Sequence, residues 1–379
     1  MINFALDEYL IQLERLVNID SGSRVPGGTD QIADYFEEKY KKLGLHVMRR
    51  QTVSGLGPCL EIRNRPERHF SDILFMGHMD TVFPEGTAGK CPYKREGALA
   101  YGPGVMDMKA GLLSTYYLVK NLLENQIDIS MCIALNSDEE ISSVHSRDWI
   151  TDLARNSAYA FVMEPGRRNG EYVSERKGLA RYIVDVKGVQ AHAGIAPWDG
   201  ASAIHELAGI IGELAELNDY DAGTSVNVGT VEGGTSANVV SEFASCQVDA
   251  RFDKTEECER IERVLNKLKN NPADDRIKIC VSRAGFRPPM QKTEKTEWVL
   301  ALLKEKGKAL GMDVKWVKTG GGSDGNFAAS AGCTVVDGAG PAGDKAHSQY
   351  EVLQIDTVEP RLRLLYETIV ELTEKARVM

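Results

Sequence analysis

Three short runs are apolar at nearly every position: Ile73-Leu74-Phe75-Met76, Met131-Cys132-Ile133-Ala134-Leu135 and Ala160-Phe161-Val162-Met163. Runs this short and this uniform predict strands buried on both faces. Between the first two, KAGLLSTYYLVKNLLE (109–124) has helical periodicity. Upstream, residues 4–17 place Phe4, Leu10, Ile11, Leu13, Leu16 and Val17 at helical spacing. A second helix capped by Thr29 or Asp30 runs to Leu43, and residues 45–53 and 59–63 read as strands. Strands alternating with helices predict an α/β mixed sheet with helices on both faces.

From Lys177 the pattern changes. Residues 180–186, 225–231, 239–243, 246–252 and 277–281 alternate like half-exposed strands, and 201–217 and 256–269 are helical. Alternation on strands with two helices predicts an α+β layer with helices on one face of the sheet. The expected division is therefore 1–176 and 287–379 as one domain, with 177–286 inserted. The α/β pattern resumes with helix 294–310, strands 314–317 and 333–336, and helix 358–376. A Gly-rich loop (319–324) and the loop GAGPAGDKAHSQYE fall among them.

Composition narrows the classes without choosing among them. The chain has 379 residues, is 42% hydrophobic and 26% charged, and carries a formal charge of -10. That charge argues against a nucleic-acid partner. No apolar run approaches membrane-spanning length, which argues against a membrane partner. Seven scattered cysteines without CxxC pairs fit reduced thiols and a cytoplasmic location. The N-terminus carries acids among its apolar residues, unlike a signal peptide.

The chemistry gathers where the apolar runs end. His78 and Asp80 follow the first, Glu139 and Glu140 the second, and Glu164 the third. Ligand sites in such sheets lie outside the carboxyl ends of the strands. Residues two apart on extended chain point the same way, so His78 suits a metal and Asp80 suits orienting it. Asp107, in GPGVMDMKAG, reads either as a helix cap or as a carboxylate shared by two cations. Adjacent Glu139 and Glu140 face opposite ways, so one can bind metal while the other acts as general base. His347 lies in a loop too polar for a core. Three carboxylates (Asp107, Glu140, Glu164) and a hydroxide balance two divalent cations. Nitrogen from His78 and His347 favours zinc over magnesium or calcium.

HMDTV, GPGVMDMKAG, NSDEE, MEPG and AHS, in this order, resemble the M20 family of metallopeptidases, in particular its glutamate carboxypeptidase (carboxypeptidase G2) group. The resemblance covers nearly the whole chain. It implies a zinc-peptidase-like catalytic domain and an inserted ferredoxin-like dimerisation or lid domain. It implies two Zn2+ per subunit, with Co2+ or Mn2+ as substitutes: His78 and Glu164 on one, Glu140 and His347 on the other, Asp107 bridging. Glu139 would deprotonate a water bridging the metals, Asp80 would orient His78, and the Asp107–Met108 peptide would be cis. His192, in GVQAHAG, would stabilise the oxyanion. Asn238, Arg287, Gly321, Gly322 and Ser323 would bind substrate, with Arg283 competing with Arg287 for the terminal carboxylate and Arg251 structural.

The implied activity is cleavage of an amide bond beside a free carboxylate, in a small peptide or an N-acyl amino acid, by a homodimer joined through the inserted domain. The alternatives are an aminoacylase or desuccinylase, and a di- or tripeptidase. An inactive scaffold is the non-enzyme reading, and the presence of all seven ligand, orienting and base positions opposes it.

Overall fold

The three apolar runs become the centre of a six-stranded sheet. Its order is His46–Arg50, Cys59–Arg63, Met131–Asn136, Ser71–His78, Ser157–Val162, Thr334–Val336. The first two strands are antiparallel to their neighbours, and the other four run parallel. Alternate residues enter opposite cores, as the pleat requires. Ile73, Phe75, Ile133, Leu135 and Phe161 face one core, while Leu74, Met76, Cys132, Ala134, Ala160 and Val162 face the other. Helices Leu6–Val17, Gly28–Lys42, Ala110–Glu124, Glu294–Ala309 and Val358–Ala376 contribute to the first core. Helices Arg147–Arg155 and Gly325–Ser330 cover the second. Burial on both faces is why these strands carry no polar alternation.

This computed structural model describes residues 2–376. The chain divides into a first unit of Met1–Glu175, Met290–Thr319 and Ser323–Met379, and a second of Arg176–Pro289 with Gly320–Gly322. The Gly320–Gly322 loop joins the second unit because Arg176 and Arg251 donate to its carbonyls.

A five-stranded sheet in the first unit has no counterpart in the sequence reading: Lys94–Glu96, Leu99–Tyr101, Val352–Gln354, Gly340–Asp344, Pro165–Gly166. The segment expected as the loop GAGPAGDKAHSQYE is a hairpin, with Gly343 opposite Leu353 and Asp344 opposite Val352. Its first strand is built of small residues because other backbone lies against it. A side chain at Gly340 would collide with the Met163 carbonyl, and one at Gly343 with Met106. The second helix also differs from expectation. It starts at Gly28 after a left-handed Gly27, with no side-chain cap from Thr29 or Asp30.

The second unit is a four-stranded antiparallel sheet in the order Ser225–Gly233, Phe243–Phe252, Gly178–Lys187, Lys278–Arg287. Alternate residues Ala180, Tyr182, Val184 and Val186 meet Leu207, Ile210 and Leu214 of helix Ala203–Ala215 and Ile261 and Leu265 of helix Thr255–Asn270 in one core. The expected 239–243 strand does not join this sheet. Val239–Val240 pairs instead with Ala191–His192, and the long strand begins at Phe243.

Candidate metal centre

Register sets the site. His78 lies opposite Asn136 and Met76 opposite Val162, so the three parallel strands end at one edge. His78, the Glu139–Glu140 pair and Glu164 therefore leave the sheet together. Asp107 arrives from the loop before helix Ala110–Glu124, and its peptide bond to Met108 is cis. His347 arrives from the tip of the 340–354 hairpin, where Lys345 and His347 both take left-handed φ (60° and 63°).

The five side chains meet around Asp107. Its Oδ1 lies 3.3 Å from His78 Nε2, and its Oδ2 lies 3.2 Å from His347 Nε2. Glu164 Oε1 is 3.5 Å from His78 Nε2, and Glu140 Oε2 is 3.2 Å from His347 Nε2. A tetrahedral zinc with ligands at about 2.0–2.1 Å has ligand–ligand edges of roughly 3.3–3.4 Å. The observed separations match those edges. Glu139 also falls here, with ligand atoms of His78, Glu139 and Glu164 all within 4.8 Å of one another.

Electrostatics favour a cation. Burial pushes the Glu140 carboxyl up to about 7, with Asp107 adding to the shift against the pull of His347. Hydrogen bonds with Asp107 and Glu140 raise His347 to about 11. Burial works against charge on His78, but contacts with Asp107, Asp80 and Glu164 overturn it and raise its pKa. Burial likewise opposes the charge on Asp107, and the two histidines still hold its carboxyl below the usual range. Glu140 Oε1 is buried and has no hydrogen-bond partner among the described residues. An orphaned carboxylate oxygen inside a set of two imidazoles and three carboxylates fits a borderline divalent ion such as zinc.

Asp80 contacts both His78 and the acids beyond it. His78 Nδ1 lies 2.9 Å from the Asp80 carbonyl and 3.4 Å from its carboxylate. The Nδ1 hydrogen is thereby engaged, and Nε2 is the ring nitrogen that faces Asp107 and Glu164. The Asp80 carboxylate also accepts the backbone N–H groups of Glu139 (3.2 Å) and Glu140 (3.1 Å) and the Ser23 hydroxyl (2.7 Å). These last contacts, and those of Glu351 and Lys109 with the Asp107 loop, were not foreseen from the sequence. Their partners are mostly backbone groups, which leave no side-chain motif.

The inserted unit holds its own cluster. His192 and Asn238, from separate motifs, come side by side: His192 pairs with Val239, and Ala193 N donates to the Asn238 carbonyl at 3.0 Å. His192 Nδ1 accepts from Gly194 N (3.1 Å) and Ile195 N (3.2 Å), which leaves the ring hydrogen on an outward Nε2. Arg287 is buried, whereas Arg283 pairs with Glu262 at 2.9 Å and lies over the Phe286 ring. Arg251 is held by Asp249, as a structural arginine would be. The carbonyls of Gly321 and Gly322 accept from Arg176 at 3.1 and 3.4 Å. Ser323 corrects the expectation of a substrate ligand. It is fully buried, its hydroxyl donates to Asp337 and its N–H to Asn326 Oδ1, so neither donor is left for a ligand.

The chain is similar to several known proteins. The M20 peptidase dimerisation domain model matches residues 174–276. Carboxypeptidase G2 of Pseudomonas sp. (strain RS-16) is 29% identical over 371 residues, covering 95% of this chain and 88% of that protein. The succinyl-diaminopimelate desuccinylase of Hydrogenovibrio crunogenus is 26% identical, covering 97% and 98%. Among solved structures, aminopeptidase PepT of Bacillus cereus superposes with a TM-score of 0.78 at 23% identity, covering 97% of this chain and 99% of that one. An M20 family metallo-carboxypeptidase of Sulfolobus solfataricus does so with 0.74 at 21%, covering 97% and 100%. At these identities the structural likeness establishes the fold.

Proposed function

We propose that this chain, a hydrolytic enzyme of the M20 metallopeptidase family and carboxypeptidase-like in sequence, is a two-zinc hydrolase that cleaves an amide bond beside a free carboxylate. The observation that carries the reading is Asp107, whose two oxygens face two different histidines at 3.3 and 3.2 Å. His78 and Glu164 would hold one ion, Glu140 and His347 the other, and Asp107 both. Two such ions supply Lewis acidity to the scissile carbonyl and acidify an attacking water.

The chain's own groups do the rest. Glu139, with its backbone fixed by Asp80, takes a proton from the attacking water and returns it to the leaving amine. His192, with its hydrogen on Nε2, donates to the carbonyl oxygen as that oxygen gains charge. Replacing His192 with Ala lowers kcat about 100-fold or more and leaves KM within a few-fold; an unchanged kcat removes it from the mechanism. Asn238 contacts the substrate, and Arg287 and the amides of Gly321 and Gly322 bind its free carboxylate, with Arg283 competing with Arg287 for that role. Glutamate is the proposed leaving residue.

The desuccinylase of Hydrogenovibrio crunogenus, which matches this chain nearly end to end, favours a second reading as an N-acyl amino acid amidohydrolase. A panel of N-acyl-glutamates, dipeptides and tripeptides, each with a free or an amidated terminal carboxylate, tests both. Hydrolysis only of free carboxylates supports either form of the proposal, and cleavage that depends on a free amine instead defeats both.

A homodimer through the inserted unit is part of the proposal. It rests on the dimerisation-domain match and on an edge strand, Ser225–Gly233, that has one partner in its sheet. Val231 on that strand and Ile204 on the adjacent helix are exposed. The seven cysteines are all free, which suits a reducing, cytoplasmic setting, and among the described residues no helix is long and apolar enough to cross a membrane.

A further inference from the structure

Asp107 and His347 lie 240 positions apart in the chain and meet at 3.2 Å, so something must hold the Asp107 loop against the His347 hairpin. The residue in place to do so is Glu351. It lies four positions after His347 and is 1% exposed. Its Oε2 accepts the N–H of Gly104 at 2.9 Å, and its Oε1 accepts those of Met106 at 2.9 Å and Asp107 at 3.0 Å. Both carboxylate oxygens are thus taken up by backbone of the loop that carries the bridging residue.

The loop needs such a partner. Residues 105–108 are buried and their backbone is irregular, with Asp107 and Met108 outside helical φ/ψ. Buried N–H groups without acceptors are destabilising. Lys109 Nζ donates to the carbonyls of Ile19 (2.8 Å) and Pro103 (3.2 Å). Lys109 therefore secures carbonyls and Glu351 secures amides. Of the two, only Glu351 shares a hairpin with a proposed metal ligand.

We propose that Glu351 is a positioning residue that couples the Asp107 loop to the His347 hairpin and so sets the second metal position without touching metal or substrate. The proposal rests on the two-metal reading of this site. A carboxylate is suited to it because its two oxygens take three converging N–H groups. A glutamine in its place retains one acceptor oxygen and turns an NH2 toward Gly104 N.

The test is titration of the metal-free protein with Zn2+ against a chromophoric chelator, on the wild type and on Glu351→Gln and Glu351→Ala, with melting temperature and steady-state kinetics on each. The wild type takes two equivalents. Glu351→Ala keeps the first and binds the second at least tenfold more weakly, with kcat reduced in step and KM within a few-fold. Glu351→Gln falls between the two. A residue that merely supported the fold would lower the melting temperature without selecting one equivalent. Variants that bind both ions as the wild type does, with unchanged kcat, overturn the role of Glu351. A wild type that binds fewer than two ions overturns the two-metal reading instead.

Should the variants not fold, hydrogen exchange on the metal-free wild type decides. The amides of Gly104, Met106 and Asp107 exchange slowly if Glu351 holds them, and exchange at loop rates contradicts the proposal.

Discussion

The carboxylate of Asp80 accepts the backbone N–H of Glu139 at 3.2 Å. The residue that orients the His78 imidazole is thus also the anchor of the proposed general base. Its other oxygen accepts from Glu140 N. Replacing Asp80 with Ala removes an acceptor from two backbone amides and releases the His78 ring. Loss of such an outer partner typically costs 10–100-fold in activity or metal affinity. The expected outcome is a kcat at least tenfold lower, with KM nearly unchanged. A kcat within twofold of wild type would show that Asp80 positions neither group.

Glu139 itself should be separable from metal binding. If it moves protons and does not hold an ion, Glu139→Ala retains both zinc equivalents and loses roughly 100–10,000-fold in kcat. Glu139 stands close enough to His78 and Glu164 to serve as a ligand. Loss of an equivalent of zinc in the variant would therefore assign it that role instead.

The metal-free site should register pH in a definite direction. His347 is raised to about 11 by Asp107 and Glu140, above the usual histidine value of about 6.5. The folded state therefore binds more protons than the unfolded state between those values. This contribution to stability is fully present below about pH 6.5 and is lost as pH rises toward 11. Glu140, raised to about 7 by burial, acts in the same sense, losing its contribution as pH rises from about 4.5 through 7. Thermal melts of chelator-treated protein should fall from pH 6.5 to 9, and His347→Ala should flatten the slope. Zinc must displace these protons, so its binding should release protons at pH 7.5, measurable by calorimetry in buffers of different ionisation enthalpy. Equal slopes in wild type and variant would remove His347 from the account.

The edge strand Ser225–Gly233 offers a test of assembly. Val231 is 60% exposed there, with Ile204 beside the same face. A lysine at an exposed edge discourages strand pairing. Val231→Lys is expected to convert a dimer to monomer in sedimentation at micromolar concentration. A variant with wild-type sedimentation places the interface elsewhere.

What could be read from the sequence depended on what each residue bonds to. The apolar runs at 73–76, 131–135 and 160–163 announced strands because both faces of each are buried, and the acids after them announced the edge where the sheet opens. His78, Asp107, Glu140, Glu164 and His347 are legible because the proposed metal site demands particular side-chain types. Glu351 serves as an acceptor for backbone amides, a role that no side-chain motif marks in the sequence. The 340–354 hairpin was hidden by its own packing. Gly340 and Gly343 are small because the Met163 carbonyl and Met106 crowd them, and small residues with proline read as loop. Ser323 misled for the opposite reason. A serine beside glycines suggests a ligand loop, but its hydroxyl is spent on Asp337 in the interior.

In the proposed mechanism one carboxylate, Asp107, is shared by two ions that the activity requires. The measurement is zinc content against activity for the purified chain, stripped by chelator and reconstituted in steps. Hydrolysis of an N-acyl amino acid is expected to reach its full rate only as the second equivalent per chain is bound, and Asp107→Ala to lose both tight binding and turnover. Full activity at one equivalent or less, or an Asp107→Ala variant that still binds two ions tightly, would contradict it.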